Sequence, residues 1–68
     1  MNEENFSASI RKLLKAVGVR SQQEIERAVA DAIAQGKLKG TETFPARMQL
    51  TIEEIGLNFT LDGEIRLE

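Results

Sequence analysis

Residues 43–67 read TFPARMQLTIEEIGLNFTLDGEIRL, and the alternation of apolar and polar residues in this stretch predicts the fold of the second half of the chain. Apolar residues recur at every second position, which is the period of a strand with one buried face. We therefore predict two strands, at about residues 43–53 and 57–67. The apolar positions are Phe44, Ala46, Met48, Leu50 and Ile52 in the first run and Leu57, Phe59, Leu61, Ile65 and Leu67 in the second.

The phase of the two runs predicts how the strands pair, because residues directly opposite each other in an antiparallel ladder share a face. A turn over residues 53–56 sets Ile52 opposite Leu57 and keeps apolar residues opposite one another along both strands. The same register sets Arg47 opposite Asp62 on the other face, where we expect an exposed ion pair.

Asp62 and Gly63 give a competing prediction, because this dipeptide is typical of a two-residue hairpin turn. A strict two-residue turn would set Leu61 opposite Glu64 and would mix apolar and polar residues on one face. A three-residue loop over residues 62–64 would keep the phase and would add a third short strand. The sequence leaves this alternative open.

The first half of the chain shows the longer period of a helix. Asn2 is a suitable N-cap, and the negative charges of the two glutamates that follow it interact favourably with the positive end of the helix dipole. Gly18 is a natural end for this helix, so we predict its bounds at about residues 2–17. Its apolar positions, at helical spacing, are Phe6, Ile10, Leu13, Leu14 and Val17.

A second helix is predicted at about residues 22–35. Ser21 and Glu24 have the spacing of a capping box, in which each side chain bonds the backbone amide of the other residue. Gly36 follows the last apolar position and marks the end of the helix. The apolar positions are Ile25, Ala28, Val29, Ala32 and Ile33.

The predicted fold is α+β: one domain over residues 1–68, in which two N-terminal helices pack on a C-terminal antiparallel β-hairpin (α-α-β-β). A chain of 68 residues forms only a thin core and usually needs further stabilisation. Cysteine and histidine are both absent, which excludes disulfides and zinc sites of the usual type. Because a two-stranded ribbon also leaves both edges open, we expect a homodimer, formed through a strand edge or a helix face.

Catalysis is not expected from this inventory of residues. General acid and base chemistry favours histidine, and the serines, threonines and lysines have no imidazole or thiol to assist them. Ser7 and Ser9 lie within the first predicted helix, and the acids at 53–54 and 62–64 lack the spacing of a calcium loop. We expect no enzyme activity, no cofactor and no bound metal.

The basic residues are the candidates for contact with a nucleic acid or another anion. The segment Gly36–Gly40 contains two glycines and two lysines, but the glycines of a phosphate loop precede a helix, whereas these follow one. The net charge of -2 and the lack of neighbouring aromatic residues also argue against nucleic-acid binding. The candidate contact residues are Arg11, Lys12, Lys15, Arg20, Lys37 and Lys39.

Two resemblances to known proteins cover different lengths of the chain. Residues 32–40 with the following hairpin resemble the end of a winged-helix module, although such a module has three helices before its wing and this chain has room for two. More extensively, MNEE at 1–4, SIRKLLKAVGV at 9–19, residues 21–40, FPA at 44–46 and GEIRLE at 63–68 resemble a family of short bacterial proteins catalogued as a domain of unknown function. That resemblance implies a stand-alone bacterial protein and carries over no site residue.

The expected role is a self-associating structural or protein-interaction module, with an unidentified protein as its further partner. A nucleic-acid-binding accessory domain of partial winged-helix character is the alternative. The acidic start of the chain and the lack of a long apolar stretch predict a cytoplasmic protein without a membrane segment.

Overall fold

The computed structural model describes residues 1–68 and contains one helix and one hairpin, which makes the fold α+β. The chain divides into two compact units, Met1–Lys37 and Leu38–Glu68, which we call the helical unit and the hairpin unit. The elements in chain order are α1 (Glu3–Ala34), β1 (Thr43–Ile52), a short 3-10 turn (Glu53–Ile55) and β2 (Leu57–Arg66).

The prediction of two helices is wrong, because α1 continues through Gly18 and Ser21 as one helix of 32 residues. A glycine inside a helix destabilises it by only about 0.5–1 kcal/mol, which the many other residues of a long helix can offset. No proline lies near Gly18 or Ser21, and proline breaks a helix far more strongly than glycine or serine does.

The apolar positions of α1 explain why the helix is continuous. Phe6, Val17 and Ala28 are eleven residues apart, as are Leu14 and Ile25. An eleven-residue repeat has about 3.67 residues per turn, so the positions stay on one side of a helix from end to end. Two helices joined by a loop would have no reason to share this phase. We call these positions, together with the polar Ser21 on the same side of the helix, the apolar stripe; its apolar members are Phe6, Ile10, Leu13, Leu14, Val17, Ile25, Ala28, Val29 and Ala32.

Both predicted ends of the helical region are confirmed. Asn2 caps the N-terminus, where its Oδ1 accepts a hydrogen bond from the Asn5 amide at 3.0 Å. At the other end Gly36 has φ +76°, in the left-handed region that glycine adopts most easily. This conformation brings the Lys37 amide to within 2.8 Å of the Ala32 carbonyl oxygen, which satisfies one of the last carbonyls of the helix.

The predicted register of the hairpin is also confirmed. The strands are antiparallel, and the pairing runs from Ile52 opposite Leu57 to Thr43 opposite Arg66. Gly56 closes the connecting turn with φ 63° and ψ 25°, so the turn depends on a left-handed residue immediately before β2.

The third strand that the sequence left open is not formed. Asp62 and Gly63 lie inside β2, and Gly63 is opposite Ala46 in a sheet of two strands. The phase of the apolar residues therefore outweighs the local turn preference of the Asp-Gly dipeptide.

No residue is buried within the helical unit or within the hairpin unit. The packing of helix on hairpin and the single-domain organisation stay predictions, and the two units are described separately.

Candidate interaction surfaces

The apolar stripe of α1 is exposed along its first half. Its large side chains range from 38% exposed at Val17 to 52% at Phe6 and Leu13. In the second half the stripe contains small residues, such as Ala28 and Ala32, at the same angular positions. The stripe therefore carries its bulkiest side chains near the N-terminus of α1, whereas its second half combines alanines with Ile25 and Val29.

The hairpin unit also has an apolar face. Phe59 and Leu61 on this face are 51% and 59% exposed. Ala46 and Gly63 are opposite each other, so the face carries its smallest residues at this pair. The other large members of the face are Phe44, Met48, Leu50, Ile52, Leu57 and Ile65.

The opposite face of the hairpin is polar and is joined by side chains across the strands. Arg47 Nε lies 2.7 Å from Asp62 Oδ1, which confirms the predicted ion pair. Gln49 Nε2 donates a hydrogen bond to Asn58 Oδ1 at 3.2 Å. The hairpin is thus amphipathic, and its apolar face is the side suited to contact with another surface.

The segment after α1, which the sequence analysis argued against as a phosphate loop, holds an anion of the chain itself. The Glu42 carboxylate accepts hydrogen bonds from the backbone amides of Lys39, Gly40 and Thr41, at distances of 2.8 to 3.1 Å. These amides, first those of Lys39 and Gly40, hold the pKa of the Glu42 carboxyl below its ordinary value. An outside phosphate would have to displace this carboxylate.

Sequence reasoning missed the role of Glu42. The signal was present, because backbone amides around Gly40 need partners and Glu42 is the nearest acid along the chain. The backbone carbonyl of Glu42 also accepts a hydrogen bond from the Leu67 amide at 2.9 Å, which extends the strand pairing by one step. Glu42 therefore fixes the entry into the hairpin through both its side chain and its backbone.

The predicted nucleic-acid contact residues do not form one basic face. Arg11 and Arg20 are nine residues apart on α1, which places them on opposite sides of the helix, about 180° apart. Lys37 and Lys39 lie beyond the end of α1, and they belong to different compact units. The remaining two, Lys12 and Lys15, share the first half of the helix with Arg11.

The serines of α1 bond within the helix. Ser9 Oγ donates to the Phe6 carbonyl oxygen, and Ser7 Oγ accepts from Arg11 Nη1, each at 2.7 Å.

No three acidic side chains come together in a group that could hold a metal ion. One open surface depression is formed by Pro45, Ala46, Arg47 and Asp62, where the ion pair of the hairpin lies. α1 has the length to span a bilayer but not the hydropathy, so no helix qualifies as a membrane span.

The structure defines a class of small α+β proteins in which one long helix precedes a two-stranded hairpin and both elements expose an apolar face. The chain belongs to the Family of unknown function (DUF6494), whose model matches residues 1–68. This match confirms the resemblance to a family of unknown function. No curated protein and no solved structure matches the chain. The winged-helix resemblance stays unconfirmed, and with one helix before the hairpin the helix-turn-helix of such a module is not formed.

Proposed function

We propose that this protein is a self-associating module, a homodimer that provides an interaction surface for another protein and catalyses no reaction. The observation that carries the proposal is the exposure of its large apolar side chains together with the lack of any buried residue. An exposed apolar face on a helix or on a hairpin is a candidate interaction site.

The experiment that tests the proposal is light scattering coupled to size exclusion, over loading concentrations from about 1 to 100 μM. We expect a mass of twice 7.6 kDa throughout this range. A mass of 7.6 kDa at every concentration would contradict self-association.

The same measurement with added duplex and single-stranded nucleic acid separates the alternative function. The dimer mass should be unchanged by nucleic acid and by moderate salt, because apolar contacts depend little on ionic strength. A complex that forms only with nucleic acid and dissociates between low and moderate salt would instead indicate binding through phosphates.

A further inference from the structure

We infer that the dimer interface is α1, and that two copies of α1 pair antiparallel along the apolar stripe, with the pair centred near Val19. This inference rests on the proposed self-association and specifies its partner as a second copy of the same helix.

The length of the apolar stripe favours α1 over a strand edge. The helix has 32 residues and is therefore about 48 Å long. Because the eleven-residue repeat drifts by only about 20° per repeat, two nearly straight helices can remain in contact along this length. Edge-to-edge pairing of β1 or β2 would satisfy backbone amides but would leave the apolar stripe exposed to water.

The sizes of the side chains favour the antiparallel direction. With the centre near Val19, Phe6 of one copy is opposite Ala32 of the other, and Ile10 is opposite Ala28. Large residues then face small ones at both ends, which keeps the two helices at a uniform distance. A parallel pair would set Phe6 against Phe6 and Ala32 against Ala32, so the helices would be forced apart at one end and would leave a gap at the other.

The helix dipoles favour the same direction, because they oppose each other in an antiparallel pair, whereas a parallel pair would align both of them.

The absence of native cysteine allows a direct test by disulfide trapping. We would prepare Ile10→Cys and Ala28→Cys separately and oxidise each alone and as a mixture in equal amounts. Both positions lie on the midline of the apolar stripe, where the side chains point most directly at the other helix. In the antiparallel pair, position 10 of one copy is opposite position 28 of the other, but the two copies of position 10 are about 27 Å apart along the axis. A disulfide needs Cα atoms within about 7 Å.

The expected result is a covalent dimer in the mixture, in up to about half of the chains if the variants exchange at random, and only background dimer in either variant alone. Covalent dimer in each variant alone would overturn the antiparallel direction. Light scattering on the same reduced samples separates the remaining outcomes. A dimer by mass that never forms the disulfide would overturn α1 as the interface and leave self-association intact, whereas a monomer by mass for the unmodified chain would overturn the proposed function itself.

Discussion

The helical unit and the hairpin unit differ in how their structure is encoded. α1 is built from hydrogen bonds between residues four apart, and its 32 residues exceed the length at which an isolated helix is marginal. The hairpin must pair residues that are far apart in the sequence, such as Thr43 and Arg66 at its open end. An isolated two-stranded ribbon is also only marginally stable in water. The helix is thus specified locally, whereas the hairpin depends on its turn and on cover for its apolar face.

This difference predicts that the two units respond to different substitutions. Changes on the apolar stripe should act on association and leave the hairpin pairing intact. Changes at the hairpin turn should act on strand pairing and leave the helical signal intact. The predictions that follow test this separation, beginning with the largest expected effect.

Leu14→Asp should weaken dimerisation by at least a hundredfold. Leu14 lies on the apolar stripe and is 51% exposed in the single chain, so the interface is expected to cover it. Burying a leucine side chain contributes about 1.5–3 kcal/mol, and a symmetric dimer loses this contribution twice. Sedimentation equilibrium measures the dissociation constant, and circular dichroism checks that the helix is retained.

Gln23→Asp is the matched control for this substitution. Gln23 is nine residues from Leu14 and therefore lies about 180° around α1, away from the apolar stripe. The Gln23→Asp substitution introduces the same side chain into the same helix and should change the dissociation constant of the dimer by less than about threefold. Equal weakening by the two variants would show that added charge or lost helicity, not the stripe, controls association.

Gly56→Ala should destabilise the hairpin by about 1–2 kcal/mol. Gly56 has φ 63°, a conformation in which a Cβ atom is strained. Cross-strand nuclear Overhauser contacts between β1 and β2 should weaken, while the helical signal in circular dichroism is retained. Gly56→Asn is the control, because asparagine tolerates the left-handed region better than other non-glycine residues. Loss of helix in parallel with the strand contacts would contradict the separation of the two units.

Gly18→Ala should stabilise α1 by about 0.5–1 kcal/mol, whereas Gly36→Ala should destabilise it. Gly18 is inside the helix, and a Cβ atom there would meet nothing within 4 Å. Gly36 has φ +76°, so alanine is strained at this position although the surrounding space is also open. Thermal unfolding followed at 222 nm measures both changes. Equal shifts in the same direction would indicate that Gly18 does not occupy a regular helical position.

The fold of the hairpin could be predicted from sequence because its information lies in the alternation of residues. A one-residue slip would have moved Leu50 and Phe59 to the polar face, so the register was determined by pattern alone. The helix break predicted at Gly18 does not exist, and local sequence alone could not show this. A glycine and a capping-box sequence are local preferences of about 1 kcal/mol each. The helical phase that Val17 shares with Ala28, on the other side of Gly18, is the better indicator that the helix continues.

The candidate surfaces were only partly predictable. The apolar positions of the helix and the hairpin were identified from their periods. How far each side chain is exposed within its unit depends on the three-dimensional structure, which a periodic pattern does not report. Glu42 was missed for a different reason, since its partners are backbone amides and the sequence does not show which amides lack a partner.

The interaction of Glu42 with the backbone should be lost in acid, without loss of the helix. Because the amides of Lys39 and Gly40 hold the pKa of the Glu42 carboxyl below its ordinary value, its stabilising effect is present above that ordinary value and is lost as the pH falls through the lower pKa of the folded state. The amide resonances of Lys39, Gly40 and Thr41 should therefore titrate together with a midpoint below the ordinary pKa of a glutamate. Glu42→Gln should abolish this titration. A midpoint at or above that ordinary value, or a titration that persists in Glu42→Gln, would show that another group controls these amides. The effect is the smallest of the four because the carboxylate is exposed and acts on a single turn of the hairpin unit.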